Sequence, residues 1–154
     1  MDELEKSWKT IYLIWIAMLI ALFVYMLVGL SLGDNINIPI DKGVLEIIRY
    51  VFYIISGVIV FSIKYVRRSI LHSTSPKGKS SISDDPQISN YIKATITSMA
   101  MAEFVAVLGL VLFILGKNSI DLYLLVFISA ASMIIYRPFK EQMINMQAER
   151  KQAG

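Results

Sequence analysis

The sequence predicts an all-α membrane protein, a polytopic chain of four transmembrane helices with both termini on the cytoplasmic side. Three observations carry that prediction. The mean hydropathy of the 154 residues is +0.60 and 56% of them are hydrophobic, which is too apolar for a soluble domain of this size. The apolar residues fall in four blocks, each close to the roughly 17–25 residues that a helix needs to cross a bilayer. The 15 basic residues are also shared unequally among the segments between the blocks.

The first block spans 11–30. Its apolar stretch is longer than that of a cleaved leader, and the head before it carries Asp2, Glu3 and Glu5, so it reads as a retained span. Gly33, Asp34, Asn35, Pro39 and Gly43 then mark an outer connection. The second block spans 45–66. The connection after it is rich in serine and reads as a flexible cytoplasmic loop over 70–85. Gly78-Lys79-Ser80 invites a phosphate-loop reading. That motif needs a glycine five residues earlier, where Ser73 stands, and a strand leading into it, so the tripeptide reads as part of a basic loop.

Asp85 before Pro86 is a helix start, with an acidic cap and a proline at the first helical position. The third helix therefore begins before its span at 92–115. The fourth span, 120–136, is the shortest. Leu32–Asn35 (LGDN) and Leu115–Asn118 (LGKN) resemble each other, a likeness that turn chemistry at two outer connections is sufficient to produce. The chain forms one four-helix membrane domain, with a cytoplasmic amphipathic tail over 138–154. Phe139, Met143 and Met146 share one side of that tail, as in a helix lying at the membrane interface or docking a partner protein.

Basic residues near span ends mark the cytoplasmic side. The head, the 64–93 segment and the tail hold twelve of them, while Lys42, Arg49 and Lys117 are the three on the other side. Trp8, Tyr12, Tyr65, Tyr91 and Tyr136 would line the inner interface, and Tyr50, Tyr53 and Tyr123 the outer one. The net charge of +3 is spread along cytoplasmic ends facing anionic headgroups. It forms no basic groove interleaved with aromatics, so no nucleic-acid partner is expected. The expected partners are the lipid bilayer and other membrane proteins or further copies of the chain.

The chain has no cysteine, and His72 is its one histidine. That removes disulfides and the usual zinc spacings. No nucleophile–histidine pair, carboxylate pair within a span or metal set can be written, so neither an enzyme nor a cofactor is expected.

One acidic residue stands apart. Eleven of the twelve lie in tails, connections or the outer end of a span, whereas Glu103 falls mid-way along the third span. A charged side chain at that depth costs about 2.5–3.5 kcal/mol on insertion scales and is by default functional. Beside it, Ser98, Ala102, Ala106 and Gly109 form a small-residue ridge that lets a helix approach closely. Ser56 on the second span and Ser129 on the fourth lie at similar depth. The first span is read as offering no polar group at its centre. The sequence thus predicts that Glu103 hydrogen-bonds to Ser56 or Ser129 within the bundle and is protonated at rest.

The stretch Ala102–Leu115, AEFVAVLGLVLFIL, resembles the carboxylate helix of the rotor-ring proteolipid, the c subunit of rotary ATP synthases. In that family a Glu is followed by Ala three residues on and by Gly-Leu-Val from the sixth. Here these are Glu103, Ala106, Gly109, Leu110 and Val111. The resemblance implies that Glu103 is the ion-carrying carboxylate. The second span, with Gly57 as its single glycine, departs from the family's glycine-patterned partner helix, so a close-packed ring is not implied. The chain as a whole resembles small four-span bacterial membrane proteins of unassigned activity, which implies a bacterial inner membrane.

Three classes of function follow. The first is a small proton- or cation-handling or accessory subunit centred on Glu103. The second is an assembly subunit of a membrane complex without ion chemistry, and the third is a small dimeric proton-coupled exporter.

Overall fold

The computed structural model describes residues 2–32, 38–72 and 86–153. Five helices account for nearly all of them: α1 (Asp2–Leu32), α2 (Lys42–His72), α3 (Pro86–Gly116), α4 (Ser119–Ile135) and α5 (Lys140–Ala153). No strand occurs among the described residues. Four helical segments are long and apolar enough to cross a membrane: Glu5–Ser31, Lys42–His72, Ile88–Gly116 and Ser119–Asn145, the last running from α4 into α5. The Gly33–Asn35 turn, the serine-rich connection from 73 to 85 with its Gly78–Ser80 tripeptide, and Asp85 lie outside the described residues. So does the side chain of Met146.

α1, α2 and α3 run past the apolar blocks because their polar ends remain helical beyond the hydrocarbon. α2 continues through Lys64, Arg67 and Arg68 to His72; Lys64 and Arg68 are exposed, whereas the Arg67 guanidinium turns inward over the Tyr91 and Tyr136 rings, 5.6 and 5.8 Å from their centres. α3 opens at Pro86, where the missing N–H is not required.

α3 is the centre of the bundle. It packs against α2 on one side and against α4 and α1 on the others, while α1 also touches α4. α1 and α2 form no extended contact with each other among the described residues. Two glycines set the closest approaches. A Cβ on Gly109 would come within 2.8 Å of the Leu125 Cβ, and one on Gly29 within 2.8 Å of the Leu122 Cδ2. α3 and α1 therefore close onto the same stretch of α4. Ser98, Ala102 and Ala106 are buried, and so is Gly109. Ala102 and Ala106 belong to a cluster with Leu22, Leu122, Val126 and Met133.

The outward faces are apolar. Phe61, Phe127 and Ile54 are 78%, 74% and 67% exposed, a distribution that fits a hydrocarbon surround rather than water.

The α3–α4 connection is two residues long. Lys117 adopts φ 53°, a left-handed conformation that disfavours a side chain, and its N–H bonds to the Phe113 carbonyl at 2.7 Å. The Asn118 side chain caps α4 by accepting from the Ile120 N–H at 3.1 Å.

At the opposite end Pro138 cannot continue a helix, and the chain breaks between Tyr136 and Phe139. Tyr91 on α3 holds the break: its hydroxyl accepts from the Phe139 N–H at 3.0 Å. α5 then docks through Met143, fully buried with Ile11, Ile88, Tyr91 and Ile92. Among the described side chains of α5, Met143 is the one that is buried. Phe139, expected on the same side, is 36% exposed and carries the Arg137 guanidinium 4.6 Å from its ring centre.

Candidate functional site

Glu103 sits thirteen residues before the end of α3 at Gly116, about 20 Å below it along the axis. Its partner is neither of the expected serines. The Tyr25 hydroxyl, on α1, donates to the Glu103 Oε1 at 2.7 Å. The hydroxyls of Ser56 and Ser129 are buried with no hydrogen-bond partner among the described residues.

The reason is angular. A helix turns about 100° per residue, so Glu103 is rotated by about 100° from the centre of the Ser98–Ala102–Ala106–Gly109 ridge. It lies almost opposite Val105 and Leu112 on α3. Val105 and Leu112 cluster with Ile48, Phe52, Tyr53, Ile59 and Val60 of α2, so Glu103 faces α1 and is out of reach of Ser56. The small residues do pack closely, but they serve α4 and leave the carboxylate to one side. Ser98 is satisfied within its own helix, donating to the Ala94 carbonyl at 2.7 Å.

The expectation of an apolar centre for α1 is therefore corrected. Of the eight tyrosines, Tyr25 is the one not placed in either interfacial belt. It lies seven residues before the end of α1 at Leu32. Helical side chains lean toward their own N-terminus, and the long phenol carries the hydroxyl further down. That lean takes Tyr25 from its off-centre backbone position to the carboxylate.

Both members of the pair are only partly buried. No lysine or arginine pairs with Glu103 among the described residues. The carboxyl group is thus held by a neutral donor at the edge of the α1–α3 seam.

A second polar cluster was not foreseen as a unit. At the end of the bundle away from α5, Asp121 in the first turn of α4 is 4% exposed. The Arg49 Nε donates to its Oδ2 at 2.9 Å and the Tyr53 hydroxyl to its Oδ1 at 2.8 Å. Arg49 and Tyr53 are one turn apart on α2, so both reach the same carboxylate. Arg49, counted among the outer basic residues, and Tyr53, expected at the outer interface, both turn toward α4 and tie α2 to it. The available signal was the i, i+4 pairing of a cation and a phenol at the depth of a lone acidic residue on another span.

Among the described residues no group of three His, Cys, Asp or Glu side chains could hold a metal ion. Comparison with protein families, with curated proteins and with solved structures finds no match to this chain.

Proposed function

We propose that the protein is a small integral membrane component that handles protons or cations through Glu103, with Tyr25 as the donor that holds the resting carboxyl group. The observation that carries this reading is the Tyr25–Glu103 hydrogen bond at 2.7 Å, formed deep in a span with no cationic partner among the described residues. A structural hydrogen bond between helices needs neither an ionisable acid nor partial exposure of both groups. An exchanging site needs both. By contrast, Asp121 is buried and matched by a cation, the arrangement of a fixed ion pair.

The local likeness of Ala102–Leu115 to the carboxylate helix of the ATP synthase c subunit supports the same role for Glu103. The twelve-to-three division of basic residues supports cytoplasmic termini, and the bacterial inner membrane is the setting this reading takes. The partners it calls for are the bilayer and a membrane protein or second copy that brings polar access to the open side of Glu103.

The test is carbodiimide modification of the protein in lipid, mapped by mass spectrometry. Modification should fall on Glu103, disappear in Glu103→Gln, and respond to pH. Protection by sodium would identify a cation as the exchanged ion, and indifference to sodium a proton. If Glu103 stays unmodified across the pH range while other carboxylates react, the exchange role is refuted.

A further inference from the structure

At the end of the bundle that carries α5, a groove of about 420 Å³ opens between the start of α1 and the bend into α5. One wall is an aromatic rail on α1. Trp8 stacks on Tyr12 with ring centres 5.2 Å apart, and Tyr12 meets Trp15 at 5.5 Å. The other wall carries two cations, Arg137 and Lys140, with Pro138, Phe139 and Glu141. The Lys140 ammonium sits 5.6 Å from the Trp8 ring centre.

Most of the polar groups here are donors. The Trp8 indole N–H is buried with no hydrogen-bond partner among the described residues, although Trp side chains at such depth normally find an acceptor. Neither Arg137 nor Lys140 forms an ion pair among the described residues. Among the described residues Glu141 is the carboxylate on the wall. Glu5 pairs with Lys9 at 2.9 Å and is also attracted by the Lys140 charge. The first turn of α5, which starts at Lys140, adds the positive end of a helix dipole.

We infer that this groove binds the headgroup of an anionic phospholipid, with the phosphate between Arg137 and Lys140. Charge complementarity calls for an anion, and the groove's position selects a lipid as its source. The aromatic rail lies where α1 enters the hydrocarbon, at the depth preferred by tryptophan and tyrosine. Just above it, on the Tyr12 side, α1 exposes Ile16, Ile20 and Phe23, at 38%, 59% and 59%. The acyl chains of a seated lipid would run along that apolar surface, which a free phosphate ion would leave unused. Basic pockets between spans on one membrane face are recognised headgroup sites. The inference does not depend on the role of Glu103.

The experiment is native mass spectrometry of the detergent-solubilised protein titrated with phosphatidylglycerol or phosphatidylcholine of identical acyl chains. The wild type should retain phosphatidylglycerol preferentially. Each of Arg137→Gln and Lys140→Gln should weaken that retention roughly fivefold, and the double variant about 25-fold. Arg68→Gln, an exposed cation on α2, should leave it unchanged. Circular dichroism establishes that each variant keeps its helices. Equal loss in Arg68→Gln, undiminished retention in the double variant, or full displacement by millimolar inorganic phosphate would each overturn the lipid assignment.

Discussion

The Asp121 cluster allows a stability prediction in which the order of three variants matters more than any single value. Asp121 is buried, with its side chain 6% exposed, while the Arg49 side chain is 30% exposed. Removing one partner of a buried ion pair costs about 3–5 kcal/mol when the remaining charge has nowhere to go. Arg49→Met leaves Asp121 in that condition, with only the Tyr53 hydroxyl bonded to it, so the loss should be about 3 kcal/mol. Asp121→Asn leaves the guanidinium, which can extend its long side chain to the interface. Its cost should fall to about 1.5–2 kcal/mol, the lower part of the range for a hydrogen bond to a charged group. The double variant Arg49→Met/Asp121→Leu replaces the pair by apolar groups and should recover most of the loss. The assay is equilibrium unfolding in mixed micelles, read by circular dichroism or by steric trapping. If Asp121→Asn proves costlier than Arg49→Met, or if the double variant shows the sum of the two losses, the cluster is not the desolvated, mutually dependent unit described above.

Three further outcomes follow from the same geometry. Gly109→Val places side-chain atoms where Leu125 already stands at 2.8 Å, and should cost about 1–3 kcal/mol by forcing α3 from α4; cross-linking between the two helices should fall in parallel. Lys117→Gly relieves a side chain held at φ 53° and should raise stability by about 0.5–1 kcal/mol, visible as a higher midpoint in thermal unfolding. Tyr25→Phe removes the hydroxyl that holds Glu103. It should cost about 0.6 kcal/mol, with about 1.7 as an upper bound for such bonds in membranes, and should accelerate carbodiimide modification of Glu103. An unchanged rate would mean that Tyr25 does not hold the carboxyl group in lipid.

The spans were legible because hydrocarbon imposes a simple requirement, a run of apolar residues about as long as the bilayer is thick. Pro86 and Pro138 were legible as punctuation because proline restricts the backbone regardless of tertiary context. Glu103 could be singled out for the same kind of reason, since depth along a span follows from counting residues. Its partner could not. Which side chain meets it depends on the rotation of α3 about its axis and on the reach of a tyrosine whose backbone lies at a different depth. Neither follows from spacing within one helix. Ser56 and Ser129 matched Glu103 in depth but not in direction. The Arg49–Asp121 pair was hidden for a related reason. Each residue read singly had a route to water, and only the packing of α2 and α4 around α3 places Tyr53 and Arg49 on the same buried carboxylate.

The central position of α3 also has a consequence for biosynthesis. The ribosome delivers α1 and α2 first, and these two helices share no extended surface. Until residue 86 emerges, each stands alone in the bilayer, with its eventual contact face against lipid tails. α3 is then the common template on which both dock, and α4 closes over it through Gly109 and Gly29. A chain halted in the 73–85 connection therefore yields two unassociated spans, a species that a membrane protease would meet as unassembled helices. Supplying residues 86–154 as a separate polypeptide restores the template and every extended helix contact, so the protein is a candidate for assembly from two co-expressed fragments.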